Sequence, residues 1–163
     1  MDEELVEKAR AFAALRGLVL QQPLGFGIHG IVYRVKDKAS PRRWAVKFLS
    51  EKPAYERERD AYLRLREHGT VQICGSNVPQ FLSSDDDSFA ISMTIVQPPH
   101  VLDFASAWLD SPPYFPDEVW DDWRRKNEEQ FGDDWPMAQA ILAELEAFGI
   151  HMLDPSPSNI RFR

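Results

Sequence analysis

The sequence predicts an α+β protein: five antiparallel strands and one main helix, followed by a reduced helical segment. Three observations lead there. Strand-like alternation flanks a glycine-rich turn at residues 25–30, helix-period stretches recur along the chain, and Pro98-Pro99 breaks the pattern between two differently composed parts. A 44% hydrophobic and 12% aromatic composition over 163 residues suits a packed core.

Each element has its own signal. Leu5, Ala9, Phe12 and Leu15 fall at helical spacing over residues 2–16, and Gly17 is a natural stop. Leu18 to Leu24 and Ile31 to Val35 read as strands, the polar stretch from Lys36 to Arg43 as a hairpin turn, and Trp44 to Leu49 as the next strand. Ala54 to Glu67 is the main helix, ended by His68-Gly69. Val78 to Leu82 and Phe89 to Val96 complete the five strands, with the acidic turn Ser83 to Ser88 between them. After Pro98-Pro99, Val101 to Leu109 is expected as a short helix, Asp117 to Phe131 as a surface helix, and Pro136 to Phe148 as a strong helix. In the last, Met137, Ile141, Leu142, Leu145 and Phe148 share one face before Gly149. Residues 1–97 and 98–163 are therefore expected as two lobes.

Charge and cysteine content narrow the function classes. A net charge of −7 and a pI near 5.1 argue against a nucleic-acid binder and against electrostatic attachment to anionic membranes. No apolar run reaches the length of a membrane span, and the acidic start does not read as a signal peptide. One cysteine, Cys74, allows no internal disulfide and fits a reducing, cytoplasmic setting.

Four groups of residues carry chemistry. Gly25, Gly27 and Gly30 free the backbone of Cβ atoms, so amide N–H groups can approach phosphate oxygens. A dinucleotide-binding loop would need a helix directly after these glycines, whereas Ile31 to Val35 alternates as a strand. Lys47 stands in the apolar strand Ala45-Val46-Lys47-Phe48, where lysine is uncommon unless paired or at an edge. Glu58 on the following helix is its natural partner, with Glu56 the rival. Asp154 and Asn159 lie five residues apart across a proline-stiffened loop. Ordinary counterparts exist for each: a glycine hairpin, a snorkelling lysine, a solvated helix, a capped turn.

Taken in order, these motifs resemble those of the protein kinase-like superfamily over nearly the whole chain. Gly25, Gly27, Gly30 and Val32 match the glycine loop, Ala45 and Lys47 the strand-lysine motif, Glu58 the helix glutamate, and Asp154 and Asn159 the catalytic-loop pair. The resemblance implies a kinase-like small lobe over 1–97, with an extra N-terminal helix, and a truncated lower lobe over 98–163. It implies ATP and Mg2+ as ligands. Met93 would be the gatekeeper, and Thr94 to Val96 would offer backbone groups to adenine. Asp154 would orient an acceptor hydroxyl; Asn159, with Asp154, would hold magnesium. His29 near the loop tip is a further phosphate contact or an exposed loop residue.

The departures matter as much. Met152-Leu153 stands where His-Arg usually precedes the catalytic aspartate, and Ser156 where Ser/Thr kinases carry lysine. Only four residues follow Asn159, leaving no room after it for an Asp-Phe-Gly motif. Asp133 and Asp134 are acidic but untied to the site. The expectation is thus an ATP-binding, minimal kinase-like protein with weak or no phosphotransferase activity. The alternatives are a pseudokinase that binds a partner protein, or a kinase completed by another chain or second copy. Trp108, Trp120, Trp123 and Trp135 are candidates to cover the lower face.

Overall fold

The computed structural model describes residues 2–163. Helix α1 (Glu3–Arg16) starts where the Asp2 carboxylate accepts hydrogen bonds from the amides of Glu4 (3.0 Å) and Leu5 (3.4 Å). It ends at Gly17, whose φ of 64° lies in the left-handed region that favours glycine. Strands β1 (Leu18–Gly27), β2 (Gly30–Asp37) and β3 (Arg43–Leu49) follow, then helix α2 (Lys52–Glu67). Two short strands, β4 (Gln72–Ile73) and β5 (Ser76–Asn77), precede β6 (Phe81–Asp85) and β7 (Ala90–Met93). The main sheet is five-stranded and antiparallel throughout, in the order β1-β2-β3-β7-β6.

The two sheet faces have different jobs. Laterally paired residues point the same way and successive residues opposite ways. Ile31, Tyr33, Val35, Val46 and Phe48 therefore form an outer face, which α1 covers with Leu5, Ala9 and Phe12. Phe12 meets Phe48 edge-on at 5.2 Å. Ala45, Leu49, Ile91 and Met93 form the inner face, packed on Tyr55, Tyr62 and Leu65 of α2.

The inner core continues past Pro98-Pro99, through Val101 and Phe104, into the lower helices. Here the chain runs β8 (His100–Val101), β9 (Trp108–Leu109), α3 (Asp117–Phe131), a 3-10 turn at Gly132–Asp134, α4 (Trp135–Ala147), β10 (Ile150–His151) and β11 (Ile160–Arg161). Strand β8 pairs antiparallel with β11 and parallel with β5, and β9 pairs with β10. Among the described residues, no helix is long and apolar enough to cross a membrane.

Several sequence expectations need correction. Val101 to Leu109 is not a helix but two short strands joined by an irregular turn, because long-range pairing to β11 and β10 overrides local propensity. The strand expected at Val78 to Leu82 runs from Phe81 to Asp85, and the one at Phe89 to Val96 shortens to Ala90–Met93. Met137 does not share the buried face of α4; it is 52% exposed, and Trp135 and Ala138 are buried beside Ile141, Leu142 and Leu145 instead. Of the four lower tryptophans, Trp135 is buried, Trp120 and Trp123 are half-buried, and Trp108 is exposed.

Candidate functional site

Strand register brings the glycine turn and Lys47 together. Gly25 is opposite Val32, Val32 opposite Lys47, and Lys47 opposite Ile91, in one row across the inner face. The next row holds Arg34, Ala45 and Met93, about 7 Å along the strands. The three glycines are not equivalent. A Cβ on Gly30 would lie 2.1 Å from the Phe48 carbonyl oxygen, so glycine is required there by close strand packing. A Cβ on Gly25 or Gly27 would meet nothing within 4 Å. Nothing in the protein's own packing calls for glycine at those two positions. The turn between Gly27 and Gly30, Ile28-His29, is tied to the end of β3: the Ser50 amide donates to the His29 carbonyl at 3.0 Å.

Lys47 is the centre of the site. Its ammonium donates to Glu58 Oε2 at 2.7 Å and to Asp103 Oδ1 at 3.0 Å. Glu58 comes from α2 and is the sequence-expected partner; Glu56 instead pairs with Lys52 on the helix surface. Asp103 was not anticipated at all. It follows β8 in the turn Asp103-Phe104-Ala105, and its φ of 67° is left-handed, a conformation that aspartate tolerates better than most residues. The exposures of the three side chains differ: 9% for Lys47, 1% for Glu58 and 32% for Asp103. Asp103 is the cluster's opening to solvent.

The electrostatics follow from that layout. Burial alone would lower Lys47, but the two carboxylates outweigh it and hold the ammonium above its usual range. Burial pushes Asp103 up, yet Lys47, the Ala105 amide and His29 together bring it below the usual carboxylate value. The Asp103 carboxylate is therefore an anion at neutral pH. Burial raises Glu58, with Lys47 pulling the other way, and its Oε1 is buried without a hydrogen-bond partner among the described residues. Burial, with the nearby charges of Glu58 and Asp103, also drives the Tyr62 hydroxyl well above its ordinary value.

Helix α2 fixes the Asp103 turn as well as Lys47. Arg57 donates to the Ala105 carbonyl at 2.8 Å, and Tyr62 meets Phe104 edge-on at 5.1 Å. Farther along, Arg64 donates to Asp110 at 2.9 Å and to the Phe148 and Gly149 carbonyls at 3.3 Å. These contacts lock α2 onto the lower segment with Glu58 facing Lys47.

The loop with Asp154 and Asn159 reaches the same region through the backbone. Ile160 pairs with Val101, and the Leu102 amide donates to the Asn159 carbonyl at 2.8 Å, so Asn159 is next to the residue that precedes Asp103. The Asp154 side chain is exposed and makes no hydrogen bond or ion pair among the described residues. Among those residues no three histidine, cysteine or acidic side chains gather as a metal centre. Met93 is buried at the end of β7. The Thr94 amide is committed to the Gln80 carbonyl at 3.0 Å, whereas the Ile95 and Val96 amides make no backbone hydrogen bond among the described residues. No protein-family model matches the chain, and no curated protein matches it either.

One signal could have led to Asp103. Val101-Leu102-Asp103-Phe104-Ala105 is an apolar strand running into Asp-Phe, with alanine where an Asp-Phe-Gly motif has glycine. It lies before the Asp154 loop, whereas the resemblance implies such a motif after Asn159.

Proposed function

We propose that the chain binds ATP with magnesium beside Lys47, between the glycine turn and the Asp103 turn, as a protein kinase-like protein. The observation that carries this reading is Lys47, held by two carboxylates from distant segments, one of them open to solvent and near the His29 turn, where Gly25 and Gly27 have no packing reason to be glycine. In this reading, residues 1–97 form a small lobe and 98–163 a reduced lower lobe. Amides near Gly25 and Gly27 and the Lys47 ammonium take the phosphates, Val32, Ala45 and Met93 line the base end, and Ile95 and Val96 face its edge. Arg34, opposite Ala45, keeps Nε buried and unpartnered, consistent with a polar ligand on that row.

The residues also fit magnesium. An ionised, partly open carboxylate at Asp103 and the side-chain carbonyl of Asn159, whose backbone pairs with Leu102, would supply oxygen ligands, and magnesium is commonly held by one or two carboxylates plus substrate phosphates. When bound, the ion would neutralise charge on the phosphates. With Asp103 as a magnesium ligand, phosphoryl transfer becomes part of the proposal without a contribution from a second copy. Asp154 accepts the proton of an acceptor hydroxyl, the hydroxyl oxygen bonds to the γ-phosphorus, and ADP leaves with the bridging oxygen. A binding-only pseudokinase is the second reading, favoured by Met152-Leu153 and Ser156 in the loop. ATP turnover by wild type against Asp154→Asn separates the two: a large loss supports transfer, and equal background rates leave binding alone.

A further inference from the structure

Helix α3 is polar, surface-lying and outside the Lys47 cluster, yet it carries a buried asparagine. Asn127 is 2% exposed, an unfavourable place for an amide unless its hydrogen bonds are made. They are made along one face of α3. Asn127 Nδ2 donates to the Trp123 carbonyl at 2.9 Å, and Gln130 Nε2 donates to Asn127 Oδ1 at 2.5 Å. Trp123, Asn127 and Gln130 are spaced four and three apart, so they share a face.

The two ends of this row reach the Asp154 loop. Trp123 Nε1 donates to the Leu153 carbonyl at 2.7 Å, and Gln130 Nε2 donates to the Pro155 carbonyl at 2.8 Å. These carbonyls flank Asp154 on either side. The Trp123 ring is itself held edge-on between Trp120 (5.8 Å) and Trp135 (6.4 Å). The Asp154 side chain has no partner of its own, so its position is set by the backbone on each side of it.

We propose that Trp123 and Gln130, spaced by Asn127, are positioning residues that present Asp154 to an acceptor. Asp154's chemical role rests on the transfer reading above; the clamp rests on the contacts alone. Met152 and Leu153 offer no polar side chain for bracing the loop from within, and α3 supplies the bracing from outside.

The test uses the full chain with Trp123→Phe, which keeps an aromatic ring but removes the donor, and Gln130→Leu. Hydrogen exchange should quicken roughly tenfold at the Asn159 and Ile160 amides, which donate to the Ser156 carbonyl of the loop, and stay unchanged in α2 and β3. ATP turnover should fall roughly tenfold in kcat with KM for ATP retained. Gln130→Lys, which keeps a nitrogen donor at similar reach, should recover most of the rate. Exchange at the loop equal to wild type, or quickened evenly across the chain, would overturn the clamp. A wild type that binds ATP but turns none over would overturn the presentation of Asp154 to an acceptor, and the exchange data would still decide the clamp.

Discussion

The Lys47 cluster and the Asp154 loop are built on opposite principles. The first is buried, charge-paired and locked by side chains: Lys47 has two carboxylate partners within 3.0 Å, and α2 holds both the glutamate and the aspartate turn. The second is exposed and held through its backbone, with Asp154 left free. The contrast teaches where stability and chemistry are separable. In the cluster, the groups proposed to meet phosphate also hold the fold together. In the loop, the group proposed to act can change while the fold stays as it is.

The largest effect should come from removing Lys47. Lys47→Met leaves Glu58 buried with an uncompensated charge, which costs on the order of 3–5 kcal/mol in urea unfolding and abolishes nucleotide binding. Glu58→Gln should cost less, since the remaining Lys47 charge keeps Asp103 as its partner. A loss for Lys47→Met no greater than that of an ordinary surface change would mean the cluster is not structural.

Next come the glycines. Gly30→Ala forces a Cβ against the Phe48 carbonyl and should lower stability by about 1–3 kcal/mol. Gly25→Ala and Gly27→Ala meet open space and should shift stability by no more than about 0.5 kcal/mol while weakening ATP binding. Unchanged affinity in both would break the link between those glycines and phosphate.

The pH dependence sharpens the comparison from another side. Lys47 is raised in the folded state, so its contribution is full below the unfolded value of about 10.4 and is lost as pH rises through the folded one. Tyr62 is raised too: above about 10 the unfolded phenol ionises first, which also favours unfolding. Thermal melts should therefore fall steeply above about pH 10, and less steeply in Tyr62→Phe. Asp103 is lowered, so its contribution is present above about pH 3.9 and is lost as pH falls through its lower folded value.

The smallest stability effect belongs to the loop. Asp154→Asn should change unfolding by no more than about 0.5 kcal/mol and leave ATP affinity intact, because the side chain is exposed and makes no hydrogen bond or ion pair among the described residues. Turnover should nonetheless collapse. A marked loss of stability in this variant would contradict the division between the two regions.

The same division explains what the sequence made legible. The outer elements α1, β1 to β3 and α2 have local signals: apolar periodicity, a stop at Gly17 and a polar hairpin turn. Lys47 and Glu58 were readable because a lysine in an apolar strand demands a partner and the next helix carries one 11 residues on. Asp103 was not readable in the same way. It sits behind a two-residue strand whose partner, β11, lies at the far end of the chain, and its left-handed backbone has no periodicity to detect. Trp123 and Gln130 read as ordinary surface-helix residues, since nothing local shows that Leu153 and Pro155 lie against them.

The most direct test of the account is calorimetric titration of the chain with ATP, with and without magnesium chloride, for wild type and Asp103→Asn. Wild type should bind ATP more tightly with magnesium than without it. Asp103→Asn should remain folded, keep a weak metal-independent affinity through Lys47, and lose the gain from magnesium. An equal magnesium gain in both proteins, or no ATP binding by wild type, would contradict it.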